Sequence, residues 1–138
     1  MDVAAYVSEH LERFRNGDPD GAFSGLVHRE FGLVPPLTQA YLSERAPDVK
    51  AFIVEVLWQQ RDPAVIPVLG QALLDADRRV WKEALNGLVA LSSPPALDAL
   101  RLARKRRFST HDASTEFTVW LEEAIEQAEA SLLDQPNE

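Results

Sequence analysis

Apolar residues recur along this chain at three- and four-residue intervals, the spacing that gathers them on one side of an α-helix. Residues 2–15 place Val3, Tyr6, Val7, Leu11 and Phe14 on such a stripe, which stops at Asn16-Gly17. Asp18-Pro19 restarts the chain, and Ala22, Phe23, Leu26 and Val27 form a short second face. Pro35-Pro36 can only open a helix, because proline lacks the amide proton that an interior turn needs. Leu37, Ala40, Tyr41 and Leu42 follow on its inner face. Residues 48–60 carry Val49, Ile53, Val56, Leu57 and Gln60 on one stripe, and Asp62-Pro63 breaks it. The next helix holds Val65, Ile66, Val68, Leu69, Ala72 and Leu73, ending at the turn Asp75-Ala76-Asp77. Residues 78–91 then bring Val80, Ala84, Leu85, Leu88 and Leu91. After Ser92-Ser93-Pro94-Pro95, Leu97, Leu100, Leu102 and Ala103 begin a helix ending in Arg104-Lys105-Arg106-Arg107, where cations meet the negative end of the helix dipole. The longest predicted helix, 113–133, has the stripe Phe117, Leu121, Ala124, Ile125, Ala128 and Leu132. No segment reads as a strand.

Sliding the sequence on itself by about 31 residues superposes its middle units. Val49 falls on Val80, Ile53 on Ala84, Val54 on Leu85 and Leu57 on Leu88. Pro63 falls on Pro94, Ile66 on Leu97, Val68 on Ala99, Leu69 on Leu100 and Ala72 on Ala103. Amphipathic helices alone give chance matches between apolar positions. They do not readily reproduce the proline breaks as well. Two helices per period predict a right-handed α-solenoid of stacked antiparallel helix pairs, about seven helices in all.

The stretch Arg61-Asp62-Pro63-Ala64-Val65-Ile66-Pro67-Val68-Leu69, followed by Ala72-Leu73, Asp75, Asp77, Val80, Ala84-Leu85 and Leu88, resembles the short HEAT repeat of the PBS-lyase type. The family pattern runs Asp-Pro, an apolar first helix, Asp-x-Asp, then Val, Ala-Leu and Leu. Trp81 stands where the family usually has Arg, with Arg79 too early to replace it, so the family's buried Arg–Asp contact does not transfer directly. The signature is clear over residues 48–103. The resemblance implies one domain over 1–138, with cap helices in 1–30, repeat units in 35–107 and a capping helix at 112–133.

Composition narrows the function more than the fold. Cysteine is absent, which excludes disulfides, thiolate nucleophiles and sulfur-bound metals. No apolar run approaches the ~20 residues needed to span a bilayer, and Met1-Asp2-Val3-Ala4-Ala5 lacks the basic opening of a secretory signal. The expectation is a cytoplasmic protein without membrane contact. The net charge of −8 lies entirely toward the C-terminal end: eight of the 22 acidic residues and none of the 14 Lys and Arg follow residue 107. Phosphate binding draws on Lys and Arg, so this balance disfavours a nucleic-acid partner. An acidic end suits solubility or a basic partner.

Catalytic signatures are missing. His10, His28 and His111 share no ligand spacing; His10 is expected on the outer side of the first helix, and each is expected to be solvated and structural. No phosphate loop, nucleophile elbow or acid–base carboxylate pair is visible, and neither a cofactor nor a metal is expected. Arg101, Arg104 and Lys105, with Arg106 and Arg107, could form a small anion site of the kind basic helical-repeat proteins use. The alternative is docking of these cations on the acidic last helix.

In a helix-pair solenoid the second helices line the concave surface. At ~100° per residue, Trp58 falls opposite Val49 and Phe52 lies off the edge of the core stripe, whereas Trp81 falls within the core. Lys50, Phe52, Glu55, Trp58, Gln59, Lys82 and Asn86 are therefore expected to present a partner-binding face, with Phe52 and Trp58 replaceable without loss of stability. The competing expectation for Trp58 is packing against residues 18–30 or the flanking repeat. The whole predicts a monomeric, non-catalytic protein-interaction module. Small acidic HEAT-type proteins also resemble immunity proteins, which occlude a toxin, and a general scaffold fits the same features. The second reading is a HEAT-like enzyme or nucleic-acid-processing protein of glycosylase or lyase type.

Overall fold

The computed structural model describes residues 2–27 and 32–134. Eight α-helices occur among them: α1 (Val3–Arg15), α2 (Pro19–Val27), α3 (Val34–Ser43), α4 (Pro47–Gln59), α5 (Ile66–Ala72), α6 (Arg78–Leu91), α7 (Pro94–Leu102) and α8 (His111–Leu133). Short 3₁₀ turns precede α5 and follow α7. The count is one more than the seven expected in all, and each of the eight apolar segments read along the chain forms a helix. The described residues contain no strand.

The helices pair in chain order, α1 with α2, α3 with α4, α5 with α6 and α7 with α8. Among first helices, α1 meets α3 and α5 meets α7, while α3 meets the turn that precedes α5; second helices meet second helices throughout. This is an α-solenoid of stacked antiparallel helix pairs. Within it, α4 and α6 pack most extensively. A single apolar cluster runs from Val7 in α1 to Ala128 in α8.

Capping follows the punctuation in the sequence. Asp2, Asp62, Asp77, Ser93 and Thr110 each accept an amide proton from the turn that follows, satisfying donors that a helix start leaves bare. Among the described residues, two other than glycine sit in the left-handed region, Arg61 (φ 57°) and Ser92 (φ 46°). They are one repeat period apart, and each ends a second helix. Both also reach the next second helix: an Arg61 guanidinium nitrogen donates to the Ala90 carbonyl at 3.1 Å, and the Ser92 hydroxyl lies 2.9 Å from that of Ser131.

Several expected positions move. Leu42 and Leu102 are exposed rather than inward, because their helices end there and the stripe has rotated off the core. His10 is buried at 7% exposure, not solvated. Helix α2 folds back over it, its Nδ1–H donates to the Tyr6 carbonyl at 2.9 Å, and Gly25 leaves room for the ring. The Tyr6 hydroxyl donates to the Gly25 carbonyl at 2.6 Å and locks the pair. His111 is exposed at the start of α8, and His28 lies outside the described residues.

Candidate functional site

The cationic position that follows the repeat's Val shows how consecutive layers are joined. In the α4 layer it is Lys50, whose Nζ forms an ion pair with Asp75 of the next turn. Asp75 also accepts the Asp77 amide at 2.9 Å and bonds the Tyr41 phenol. Lys50 lies over the Tyr41 ring, 5.3 Å from its centroid. One period later Lys50 is replaced by Trp81, Asp75 by Arg106 and Asp77 by Phe108. There an aromatic cluster takes over. Trp81 meets Phe117 edge-on at 5.1 Å and Phe108 at 6.4 Å, and Arg106 stacks on Phe108 at 3.7 Å. The ionic contact is present, carried by Lys, in one layer, and an aromatic contact replaces it in the next.

Burial and the neighbouring Asp75 carboxylate push the Tyr41 phenol up to about 12. Its folded-state pKa is above the unfolded value of 10.0, so its contribution to stability is complete below pH 10 and fades as pH rises toward 12. In an ultraviolet titration, one of the chain's two tyrosines should keep its proton to about pH 12. Tyr41→Phe should remove that late transition.

The second-helix face carries the candidate binding residues. Glu55, Trp58 and Gln59 on α4 are partly exposed, as is Lys82 on α6, while Asn86 is exposed. Lys50 is partly exposed too, but its ammonium is committed to Asp75. Phe52 does not belong to this face. It is 7% exposed and stacks on Phe14 of α1 at 4.2 Å, because the α1–α2 pair covers that side of α4.

Trp58 is bound on two sides. Its indole N–H donates to Glu83 at 2.8 Å, and its base rests on Gly87 of α6. A Cβ added at Gly87 would stand 2.7 Å from Trp58 Cβ and Cγ. Packing against the flanking repeat, the competing expectation, therefore describes this residue. The Arg61 guanidinium lies 5.3 Å from its ring centroid. Replacing Trp58 will cost stability, contrary to the sequence expectation.

Glu55 and Glu83 stand close enough to interact, and burial together with the Glu83 charge raises the Glu55 pKa. Trp120 of α8 extends the face. It is 41% exposed, with the Lys82 ammonium 3.9 Å from its ring centroid. Sequence reasoning passed over Glu83, Trp120 and Glu123. Trp120 is legible: it sits ~60° off Phe117, beside the α8 stripe, the same angular offset that singles out Phe52.

The basic cluster follows its alternative expectation. Arg101 pairs with Glu129 at 2.9 Å and Arg104 with Glu122 at 2.8 Å, both across to α8, while Lys105 is exposed. A cavity of about 660 Å³ lies between this segment and α8. The Arg107 guanidinium beside it is bonded to the Arg104 and Arg106 carbonyls. Among the described residues no group of three His, Asp or Glu side chains could hold a metal ion. None of their helices is long and apolar enough to cross a membrane.

A family model for HEAT repeats matches residues 34–110, more than half of the chain. The chain belongs to the HEAT-repeat family. The match begins at α3, one helix before the segment whose motif is plain in the sequence, and ends at the cap of α8. HEAT repeats generally mediate protein–protein interaction or scaffolding. No curated protein and no solved structure matches this HEAT-repeat chain.

Proposed function

We propose that this HEAT-repeat protein is a non-catalytic binding module that grips a basic protein through its second-helix face, in the manner of an inhibitor that occludes its target. One observation carries the reading. Glu55 is partly buried and near enough to Glu83, which is bonded to a tryptophan, that burial and then the Glu83 charge raise its pKa. A like-charge pair opposes folding unless something else compensates for it, and such pairs mark binding sites. Lys or Arg from a partner would relieve the repulsion. Negative charge on this face would also speed the encounter with a basic surface.

The sign of the stability effect gives a test that separates function from folding. Because the Glu55 pKa is raised above its ordinary 4.5, its contribution to stability is full below that pH and is lost as pH climbs through the raised value. At neutral pH its charge works against the fold. Glu55→Gln should therefore raise the melting temperature at pH 7 and leave it nearly unchanged at pH 4. The same variant, immobilised, should retain less of a salt-elutable partner from lysate than the natural protein does. A lower melting temperature, or undiminished retention, removes the basis for the reading.

A further inference from the structure

The geometry points to the groove between α6 and α8 as the seat of a short amphipathic basic helix, which lays one large apolar side chain against Trp120 and sets a Lys or Arg on Glu123. This rests on the second-helix face being the binding face, and it names the occupant and its position.

The groove measures about 240 Å³ and is walled by Val89 and Ala90 of α6 and by Trp120 and Ala124 of α8, with Asn86 and Glu123 at its rim. Small-molecule pockets run to ~300–1,000 Å³. This one suits a single bulky side chain, the anchor of a helix laid into a helix–helix groove. Trp120 is 41% exposed at the edge of this apolar groove, a tryptophan placed as in interface hot spots.

Charge selects the partner's sign. Three of the α8 carboxylates are already neutralised: Glu116 by Arg78, Glu122 by Arg104 and Glu129 by Arg101. Among the described residues no Lys or Arg forms an ion pair with Glu123, Glu83 or Glu55. The uncompensated acidity of α4, α6 and α8 thus includes the groove's rim and the neighbouring Glu55–Glu83 pair. Lys82 shows that the Trp120 ring accepts a cation, since its ammonium sits 3.9 Å from the ring centroid. Its flexible stem lets it swing off the ring when an anchor enters.

The test uses two synthetic helical peptides with one apolar face in common, a phenylalanine anchor included, and either Lys or Glu elsewhere. Calorimetry at low salt should show the Lys peptide binding at least about tenfold tighter than the Glu peptide, the equivalent of ~1.4 kcal/mol. Trp120→Ala and Glu123→Lys should each weaken it by about tenfold or more, with circular dichroism unchanged because both residues are exposed. Equal binding of the two peptides, or binding of neither, overturns the proposal. Lys-peptide binding that survives both changes but is lost in Glu55→Lys/Glu83→Lys moves the seat to the Trp58 end, sinking the groove and sparing the face. Binding insensitive to all four sinks both.

Discussion

Replacing Gly87 with leucine should destabilise the protein by about 3 kcal/mol or more, and with alanine by about 1 to 2 kcal/mol. Gly87 is buried in the middle of α6, where glycine costs ~1 kcal/mol relative to alanine. That cost is accepted because α4 and α6 approach too closely for any side chain. Even a methyl group would stand 2.7 Å from Trp58 Cβ and Cγ, and Cβ is fixed to the α4 backbone and cannot rotate aside. Alanine therefore gains helix propensity and loses more in overpacking, whereas leucine must drive the two helices apart. At a few degrees per kcal/mol, the leucine variant should melt roughly 10 °C lower. A thermal scan of both variants checks this, and an alanine variant more stable than the natural protein would show that α4 and α6 can separate freely.

Asp75→Ala is expected to rival it, at about 3 kcal/mol, because three groups lose their acceptor at once. Lys50, with only 21% of its side chain exposed, is left as a largely buried cation without its ion-pair partner, a situation that costs ~3–5 kcal/mol when burial is complete. The Asp77 amide and the Tyr41 phenol also lose their partner. Lys50→Met should cost less, since its apolar stem is kept and Asp75 retains its other two donors. In a double-mutant cycle the two changes should couple by ~1–3 kcal/mol, as contacting charges do. Additivity would show that the ion pair does not join the two repeats. The α6–α8 layer lacks this sensitivity by design of its residues: Trp81, Phe108 and Phe117 hold it by aromatic packing.

Burial and exposure follow from periodicity alone where a residue's surroundings come from its own helix. Trp81 was placed in the core and is 3% exposed. Asn86 was placed on the surface and is exposed there. The same reasoning failed for Phe52, where angular position on α4 says nothing about the α1–α2 pair that covers it with Phe14. It failed for His10 in the same way, since α2 returns over the face of α1 that the stripe leaves polar. The basic run Arg101–Arg107 could be seen in the chain as a cluster. Whether it was free or neutralised depended on Glu122 and Glu129, which only the docking of α8 brings near.

What the chain encodes locally is the helix inventory, its caps and the repeat. Those follow from the 3.6-residue period, from proline's missing amide proton and from short side chains that satisfy bare amides, all interactions within a few residues. What only tertiary structure decided is which flanks of the helices stay open and which charges are cancelled. Glu55 faces Glu83, Trp58 rests on Gly87, and Trp120 with Val89 borders a groove, because separate repeats meet at those points. Burial and Coulomb interactions depend on distance in space, and residues a repeat apart acquire that distance only when the solenoid closes its layers.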